Sequence, residues 1–336
     1  MASNTSSRNN TSSSLSELFL SYSKTVFIVF YIVFFLLGIP GNILLLSVLM
    51  RGLQRKSGNH ISRLTELLYI NIVALDLLFF LYSLLVMSGR SILKNWRLSH
   101  LLCVANHSLS LWISFADFYS MLAISLLRYA AIIHPMQVIS ISPKQIVRAS
   151  VLICIVCLLF TTPLWIHYEI IPLEGEIFCV NQVENKEMIL YLRLLGGMGF
   201  LPPMLLMMIC YSRIIFTLRL RRVISIHAAA TLHINWRATV MILVNLVVLV
   251  IMWLPYWLVI FFIRYEELLT TAHKYIAYHL TFFLAFANRC VNPFICFCFS
   301  SQFQARLKNL FQRVRKRQNQ LSTIHLGRID VLRSTP

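Results

Sequence analysis

The stretch Leu280–Ser300, LTFFLAFANRCVNPFICFCFS, is an apolar run long enough to cross a bilayer, yet it carries a full charge at Arg289. Placing a guanidinium at bilayer depth costs about 2.5 to 3.5 kcal/mol even on lenient insertion scales, so an acidic partner on another helix is expected. Asp76 and Asp117 are the two candidates, because each stands alone inside its own apolar segment. The sequence therefore predicts a buried ion pair between membrane helices.

The composition indicates a polytopic membrane protein. Hydrophobic residues make up 58% of the 336 residues and charged residues only 12%, which is too apolar for a soluble domain of this length. The ten-residue alternation of an outer-membrane barrel is absent. Seven apolar runs of helix length are expected to cross the membrane: Thr25–Leu49, Leu67–Met87, Leu102–Leu126, Ala149–Trp165, Ile189–Leu218, Ala238–Ile263 and Tyr275–Cys298.

The net charge of +18 is distributed unevenly between the two sides of the membrane. With the N-terminus outside, the inner segments hold 20 Lys and Arg residues, whereas the outer segments hold eight Lys and Arg against eight acids. This positive-inside bias predicts an extracellular N-terminus and a cytoplasmic C-terminus. It also assigns the basic charge to the membrane rather than to nucleic acid.

The polar segment of residues 1–24 is predicted to be an extracellular, glycosylated tail. Asn4, Asn9 and Asn10 each begin an N-x-Ser/Thr sequon, the acceptor for N-glycosylation. Apolar residues do not accumulate before Phe19, so a cleavable signal peptide is not expected. The membrane-spanning unit is assigned to residues 25–300.

Two segments are expected to follow the last membrane helix. Residues 301–317 are basic and carry one apolar stripe, which predicts an amphipathic helix on the anionic inner leaflet. Residues 318–336 are predicted to be a cytoplasmic tail. The stripe consists of Phe303, Leu307, Leu310, Phe311 and Val314.

The order and spacing of several motifs resemble the rhodopsin-like (class A) family of G-protein-coupled receptors across all seven runs. The resemblance implies an all-α membrane protein of the plasma membrane, a seven-transmembrane helix bundle with a short amphipathic eighth helix. The motifs are Gly41-Asn42, Asp76, Cys103 with Cys179, Arg128-Tyr129 before Pro135, Pro203 with Tyr211, Trp253 with Pro255, and Asn292-Pro293.

The resemblance also implies a mechanism and partners. An extracellular ligand would shift the bundle between two states, and a cytoplasmic cavity lined by Arg128, Tyr129 and Tyr211 would accept a heterotrimeric G protein. Cys103 and Cys179 lie on the outer side, where oxidation is chemically allowed, and the resemblance implies that they form a disulfide. A cofactor is not implied.

By the same resemblance, the outer half of the bundle would bind the ligand. Ser110 stands where amine receptors of the family carry an aspartate, which disfavours a monoamine. An aromatic cavity with cationic rim groups suits a peptide, or a lipid or small molecule that bears a carboxylate; the arginines at the rim have the alternative of snorkelling to lipid headgroups. The candidate residues are Arg90, Ser110, Ser114, Arg193, Trp253, Tyr256, Trp257, Tyr278, His279 and Phe282.

Receptors that this chain resembles bind a sodium ion at the acid corresponding to Asp76. Asp117 takes the third-helix position beside it, and Asn288, Arg289 and Asn292 take the seventh-helix positions. We hypothesise that the guanidinium replaces the sodium ion and bridges the two carboxylates, which makes receptor function insensitive to sodium. The alternative is a structural ion pair without a switching role.

Three departures from the family pattern concern activation. Leu127 replaces the acid that normally precedes Arg128, and Asn235 stands where many members have a second acid. Because neither acid is present, the inactive state should be less favoured, and we hypothesise raised basal signalling. Cys296 replaces a tyrosine, which puts in doubt the water-mediated link to Tyr211 that resembling receptors use.

Two other classes of function compete with a signalling receptor. Intramembrane charges also mark transporters and channels, but the seven runs lack internal repeats. A non-coupling scavenger or partner subunit of the same fold is favoured by Leu127 and Cys296. Enzyme signatures such as phosphate loops, zinc ligand sets or nucleophile elbows are absent from the sequence.

Overall fold

A computed structural model describes residues 3–54, 59–92, 96–173, 176–181, 186–224, 229–262, 271–300 and 303–312, with residues 315, 318 and 320 beyond. The helices are α1 Ser3–Gln54, α2 His60–Ile92, α3 Trp96–Ile133, α4 Pro135–Ile139, α5 Pro143–Thr161, α6 Leu164–His167, α7 Lys186–Ile224, α8 Ala229–Phe261 and α9 Thr271–Phe299. Residues 303–312 form a further helix, α10. The strands are β1 Tyr168–Leu173 and β2 Glu176–Asn181.

Within these residues, seven helices are long and apolar enough to cross a membrane, which confirms the predicted architecture. Large apolar side chains remain exposed along their outer faces, as expected where lipid rather than water surrounds the bundle. The spans are Ile28–Gln54, His60–Val86, Ser108–Ile133, Pro143–Thr161, Leu190–Arg221, Thr239–Phe261 and Leu280–Phe299.

The first helix begins much earlier than the sequence predicts. It starts at Ser3 rather than near Thr25, so the backbone of the polar tail continues the membrane helix. Extending an existing helix avoids the cost of nucleation, which allows a segment rich in weak helix formers such as Ser, Asn and Thr to be helical before the apolar run. The side chains of residues 3–24, including Asn4, Asn9 and Asn10, lie outside the described part.

The fourth spanning helix, α5, is short because both ends carry local signals. Ser142 Oγ accepts from the backbone N–H of Gln145 at 3.4 Å, and Gln145 Oε1 accepts from the Ser142 N–H at 2.7 Å. This capping box precedes Pro143 at the first helical position. The helix ends at Thr161, two residues before Pro163.

A two-stranded antiparallel hairpin, β1 and β2, follows α6 and contacts α3. The apolar segment Ile177-Phe178-Cys179-Val180 predicts a strand where β2 is found, whereas the sequence does not predict β1, whose Pro172 is unusual inside a strand. Ile170 pairs with Cys179 in the ladder. The side chains of Cys103 and Cys179 lie outside the described part, so their disulfide stays a prediction.

The helix α10 packs against the bundle instead of presenting its whole apolar stripe to lipid. Phe303 and Leu310 are buried and Leu307 is half-buried, whereas Phe311 is exposed; Val314 lies outside the described residues. Arg306 turns inward and forms an ion pair with Glu66 of α2, with 2.7 Å between Nη1 and Oε1. Its charge therefore helps to hold α10 against α2. The sequence predicts instead that the basic residues of this segment face the anionic inner leaflet.

Candidate functional site

A buried ion cluster joins α2, α3 and α9 in the middle of the bundle. Arg289 is 2% exposed, and its Nη1 lies 2.8 Å from Asp76 Oδ1 and 2.5 Å from Asp117 Oδ2. Asp76 is fully buried and Asp117 is 8% exposed. A buried ion pair needs additional hydrogen bonds to offset its desolvation, and the surrounding residues provide several.

The rest of the guanidinium contacts a hydroxyl and two rings. Its Nη2 donates to Ser114 Oγ at 2.9 Å. Its Cζ lies 4.3 Å from the ring centroid of Phe79 and 5.7 Å from that of Phe286, within cation–π range. The planar fork of arginine suits this combination of ion pairs and ring contacts, which a lysine could not reproduce.

The two carboxylates are held differently. Asp76 uses both oxygens, because Asn292 Nδ2 donates to Oδ2 at 3.2 Å while Arg289 donates to Oδ1. Asp117 uses one, because its Oδ1 has no hydrogen-bond partner among the described residues. Two carboxylates facing one guanidinium leave a formal charge of −1, and the less satisfied share of it lies on Asp117.

Helical spacing explains why these side chains meet. Residues three positions apart share a face of a helix. Three such pairs occur in the cluster: Asp76 and Phe79 on α2, Ser114 and Asp117 on α3, and Arg289 and Asn292 on α9. Asn42 ties α1 to the same point by donating to the Arg289 carbonyl at 3.1 Å.

An aromatic cluster lies on the extracellular side of the ion cluster. Its members are linked by ring centroid distances of 4.2 Å for Phe282–Phe286, 5.3 Å for Phe286–Trp253, 5.9 Å for Trp253–Tyr256 and 5.3 Å for Tyr256–Trp257. Four predicted ligand residues are therefore brought together. Phe286 also contacts the guanidinium, so it joins the aromatic cluster to the ion cluster.

Three other predicted ligand residues, Ser110, Ser114 and Arg193, lie outside the aromatic cluster. Ser114 is engaged by Arg289 and donates to the Ser110 carbonyl at 2.6 Å, so it belongs to the ion cluster. Ser110 forms a hydrogen bond with Tyr82, whose role the sequence did not indicate. Arg193 is exposed on α7. The side chains of Arg90, Tyr278 and His279 lie outside the described part.

The predicted G-protein-facing residues lie at the opposite end of α3. Tyr211 is buried and accepts a hydrogen bond from Ser125 Oγ at 3.0 Å, one helical turn from Arg128. Arg128 and Tyr129 are half-buried, and no salt bridge within the described residues includes Arg128. Leu127 and Cys296 are buried in the apolar core, whereas the side chain of Asn235 is not described.

Phe79, Tyr82 and the Glu66–Arg306 pair were missed by sequence reasoning. Phe79 had a usable signal, because it stands three residues after Asp76 on one helix face. Tyr82, Glu66 and Arg306 had none, since their partners lie on other helices and their spacing along the chain carries no information about the contact.

Comparison with known proteins places this geometry in a family. Residues 41–296 match the family described as 7 transmembrane receptor (rhodopsin family). C-C chemokine receptor type 8 of Mus musculus is 25% identical over 307 residues, 88% of this chain and 82% of that receptor. Galanin receptor 2a of Danio rerio is 25% identical over 301 residues, covering 88% and 81%, and Chemerin-like receptor 2 of Homo sapiens is 27% identical over 310 residues, covering 87% and 80%. The chain belongs to the rhodopsin family of seven-transmembrane receptors.

Proposed function

We propose that this receptor converts binding of an extracellular ligand into activation of a heterotrimeric G protein. As a member of the family, it is a multi-pass plasma-membrane receptor for extracellular ligands and not an enzyme. The carrying observation is the position of Phe286, whose ring lies 5.3 Å from Trp253 and 5.7 Å from the Arg289 guanidinium. A ligand that moves the aromatic cluster would thereby disturb the ion cluster that joins three helices.

The ligand class favoured is a peptide, or a lipid or small molecule that bears a carboxylate. The rings of Trp253, Tyr256, Trp257 and Phe282 support an apolar contact surface. The described outer half of α3 presents Ser110 instead of a carboxylate, which argues against an amine. The names of the similar receptors, for a chemokine and for galanin, agree with an extracellular ligand of this kind.

The ion cluster is proposed to replace a bound sodium ion. Asp76 and Asp117 are already bridged by Arg289, and Asn292 is bonded to Asp76; Asn288 is buried one residue before the arginine. A covalently attached cation cannot exchange with sodium in solution. Receptor function should therefore not respond to sodium.

Raised basal signalling is the third part of the proposal. Arg128, Tyr129 and Tyr211 would line the cavity for the G protein, and Leu127 provides no charge to hold Arg128 in an inactive arrangement. With weaker restraint, more of the ligand-free receptor should occupy the active state.

The test is ligand-free G-protein activation in cells, read with a panel of chimeric G proteins at matched surface expression. Activation above that of Arg128→Ala, with at least one G protein, supports the proposal. A second function, a non-coupling scavenger or partner subunit, is favoured by Leu127 and Cys296. It would be supported by surface expression without activation of any G protein, either alone or with a ligand that the receptor demonstrably binds and internalises.

The remaining assignments extend the proposal to the segments around the bundle. Residues 1–24 would be extracellular and glycosylated, residues 25–300 the receptor domain, 301–317 the amphipathic juxtamembrane helix and 318–336 the cytoplasmic tail. Cys103 and Cys179 would form the extracellular disulfide. Glycosidase treatment should reduce the apparent mass of the wild type but not of a variant with Asn4, Asn9 and Asn10 all changed to Gln.

A further inference from the structure

An apolar cavity of about 300 Å³ lies outside the aromatic and ion clusters, between α3, α5 and α7. Its inner wall is formed by Phe115 of α3 and Gly199 of α7, both buried. Its outer rim is formed by Val156 of α5 and Met198 of α7, which are 50% and 52% exposed. The cavity therefore opens on the lipid-facing surface of the bundle.

The lining gives a polar ligand little to bind. Tyr119, which lines the cavity, donates its hydroxyl proton to the Met198 carbonyl at 2.9 Å. Cys157 contributes a thiol, which behaves as a small apolar group, and the other lining side chains are apolar. An occupant is therefore held by shape and dispersion contacts.

The depth of the cavity limits what reaches it. Tyr119 and Val156 lie within about one turn of the middle of the spans Ser108–Ile133 and Pro143–Thr161, and Met198 is at the depth of Tyr119, to which it is hydrogen-bonded. The hydrocarbon core is about 30 Å thick, so its centre is where phospholipid chains end. The methyl-terminal part of an acyl chain is the apolar group that the bilayer supplies at this depth.

We propose that this cavity binds the methyl-terminal segment of a phospholipid acyl chain. At about 30 Å³ for each water-sized group, the cavity has room for roughly ten carbons. Ligand pockets of proteins begin near this size. The bound segment would fill a space that the three helices leave between them.

The occupant would contact a ring that reaches the proposed ligand site. Phe115 stacks on Trp257, with ring centroids 6.1 Å apart and planes inclined by 10°. Gly199 permits this position, because a Cβ there would collide with the Phe115 ring. Phe115, which lines the cavity, thus connects the bound segment to Trp257.

The experiment uses full-length receptor in phosphatidylcholine vesicles that contain a trace of phosphatidylcholine with a diazirine at the methyl end of one chain. After irradiation, mass spectrometry locates the crosslinks. We expect Val156, Cys157 and Met198 to be labelled several-fold more than Val151, which is 52% exposed on the same helix but does not line the cavity.

Two matched variants make the result specific. Val156→Phe fills the cavity and should reduce crosslinking at Met198 at least fivefold, whereas Val151→Phe should leave it unchanged. If Val156→Phe does not reach the membrane, Leu152→Phe replaces it. Leu152 lies one helical turn earlier on α5 and also lines the cavity. Three results would overturn the proposal. They are equal labelling of the residues along α5, unchanged labelling of Met198 in both filling variants, and stronger labelling by a photoreactive sterol at equal mole fraction. This binding readout does not depend on G-protein activation.

Discussion

Arg289 and Asp76 form a buried ion pair although 213 positions separate them, with 2.8 Å between Nη1 and Oδ1. Phe79 covers the face of the same guanidinium, and Phe286 connects it to Trp253. The pair thus lies where the aromatic cluster meets the helices that continue toward the cytoplasm. Changes to it are expected to alter stability, and, if the proposed function is correct, signalling as well.

Removal of the guanidinium should destabilise the receptor strongly. Arg289→Ala leaves two buried carboxylates without a cation, and breaking a buried pair in this way typically costs about 3–5 kcal/mol. We expect a lower melting temperature of the purified receptor, measured by intrinsic fluorescence.

The control neutralises the whole cluster. Arg289→Met combined with Asp76→Asn and Asp117→Asn should recover most of the lost stability, since buried ion pairs are often replaced without loss when no charge is left over. Wild-type stability of Arg289→Ala would show that the ion cluster does not stabilise the bundle.

The two aspartates should respond unequally to the same substitution. Asp76→Asn weakens the bonds of both oxygens, to Arg289 and to Asn292, whereas Asp117→Asn removes the carboxylate whose Oδ1 is without a described partner. Removing the excess charge leaves a neutral pair of Arg289 and Asp76. The melting temperature of Asp117→Asn should therefore be higher than that of Asp76→Asn. The reverse order would contradict the asymmetry between the two carboxylates.

An acid before Arg128 should lower ligand-free signalling. In Leu127→Asp, the new carboxylate stands beside a guanidinium that forms no described salt bridge, so it should favour the inactive state. Leu127→Asn has nearly the same shape without the charge and should keep more basal activity. G-protein activation at equal surface expression measures the difference, and equal basal activity of Leu127→Asp and the wild type would refute the hypothesis.

Loss of the Glu66–Arg306 pair should loosen α10. Glu66 is buried, so Arg306→Gln leaves its charge without a partner, whereas Lys308→Gln on the exposed side of α10 should have little effect. Hydrogen exchange of residues 303–312 should become several-fold faster in the first variant only. Gly52→Val should act similarly, because a Cβ at Gly52 would collide with the Arg306 and Glu66 side chains; unchanged exchange in both variants would exclude the pair as the anchor.

The sequence was sufficient to predict the seven spans and the partners of Arg289. The length of the apolar runs is constrained by bilayer thickness, and a charge at this depth has few possible partners. The membership of Asn292 in the cluster followed from its spacing to Arg289. Phe79 could have been found by the same rule applied to Asp76.

Contacts that depend on how helices face one another were not predictable in this way. Helices that are apolar on all sides carry little periodic signal for rotation, so the hydrogen bond between Arg289 and Ser114 could not be predicted. The pairing of Tyr82 with Ser110 and of Glu66 with Arg306 likewise arises only when α2 packs against α3 and α10. The lipid-facing cavity is lined by residues of three helices, α3, α5 and α7, which no single segment reveals.

The replacement of sodium by Arg289 is tested by the melting temperature of purified, ligand-free receptor in sodium chloride and in choline chloride at equal ionic strength. A ligand that binds only the folded state raises its stability by mass action. We predict equal melting temperatures for the wild type and a sodium-dependent increase for Arg289→Ser, in which Asp76 and Asp117 lose their attached cation. A sodium-dependent increase in the wild type would contradict the assignment of Arg289 to the cation position.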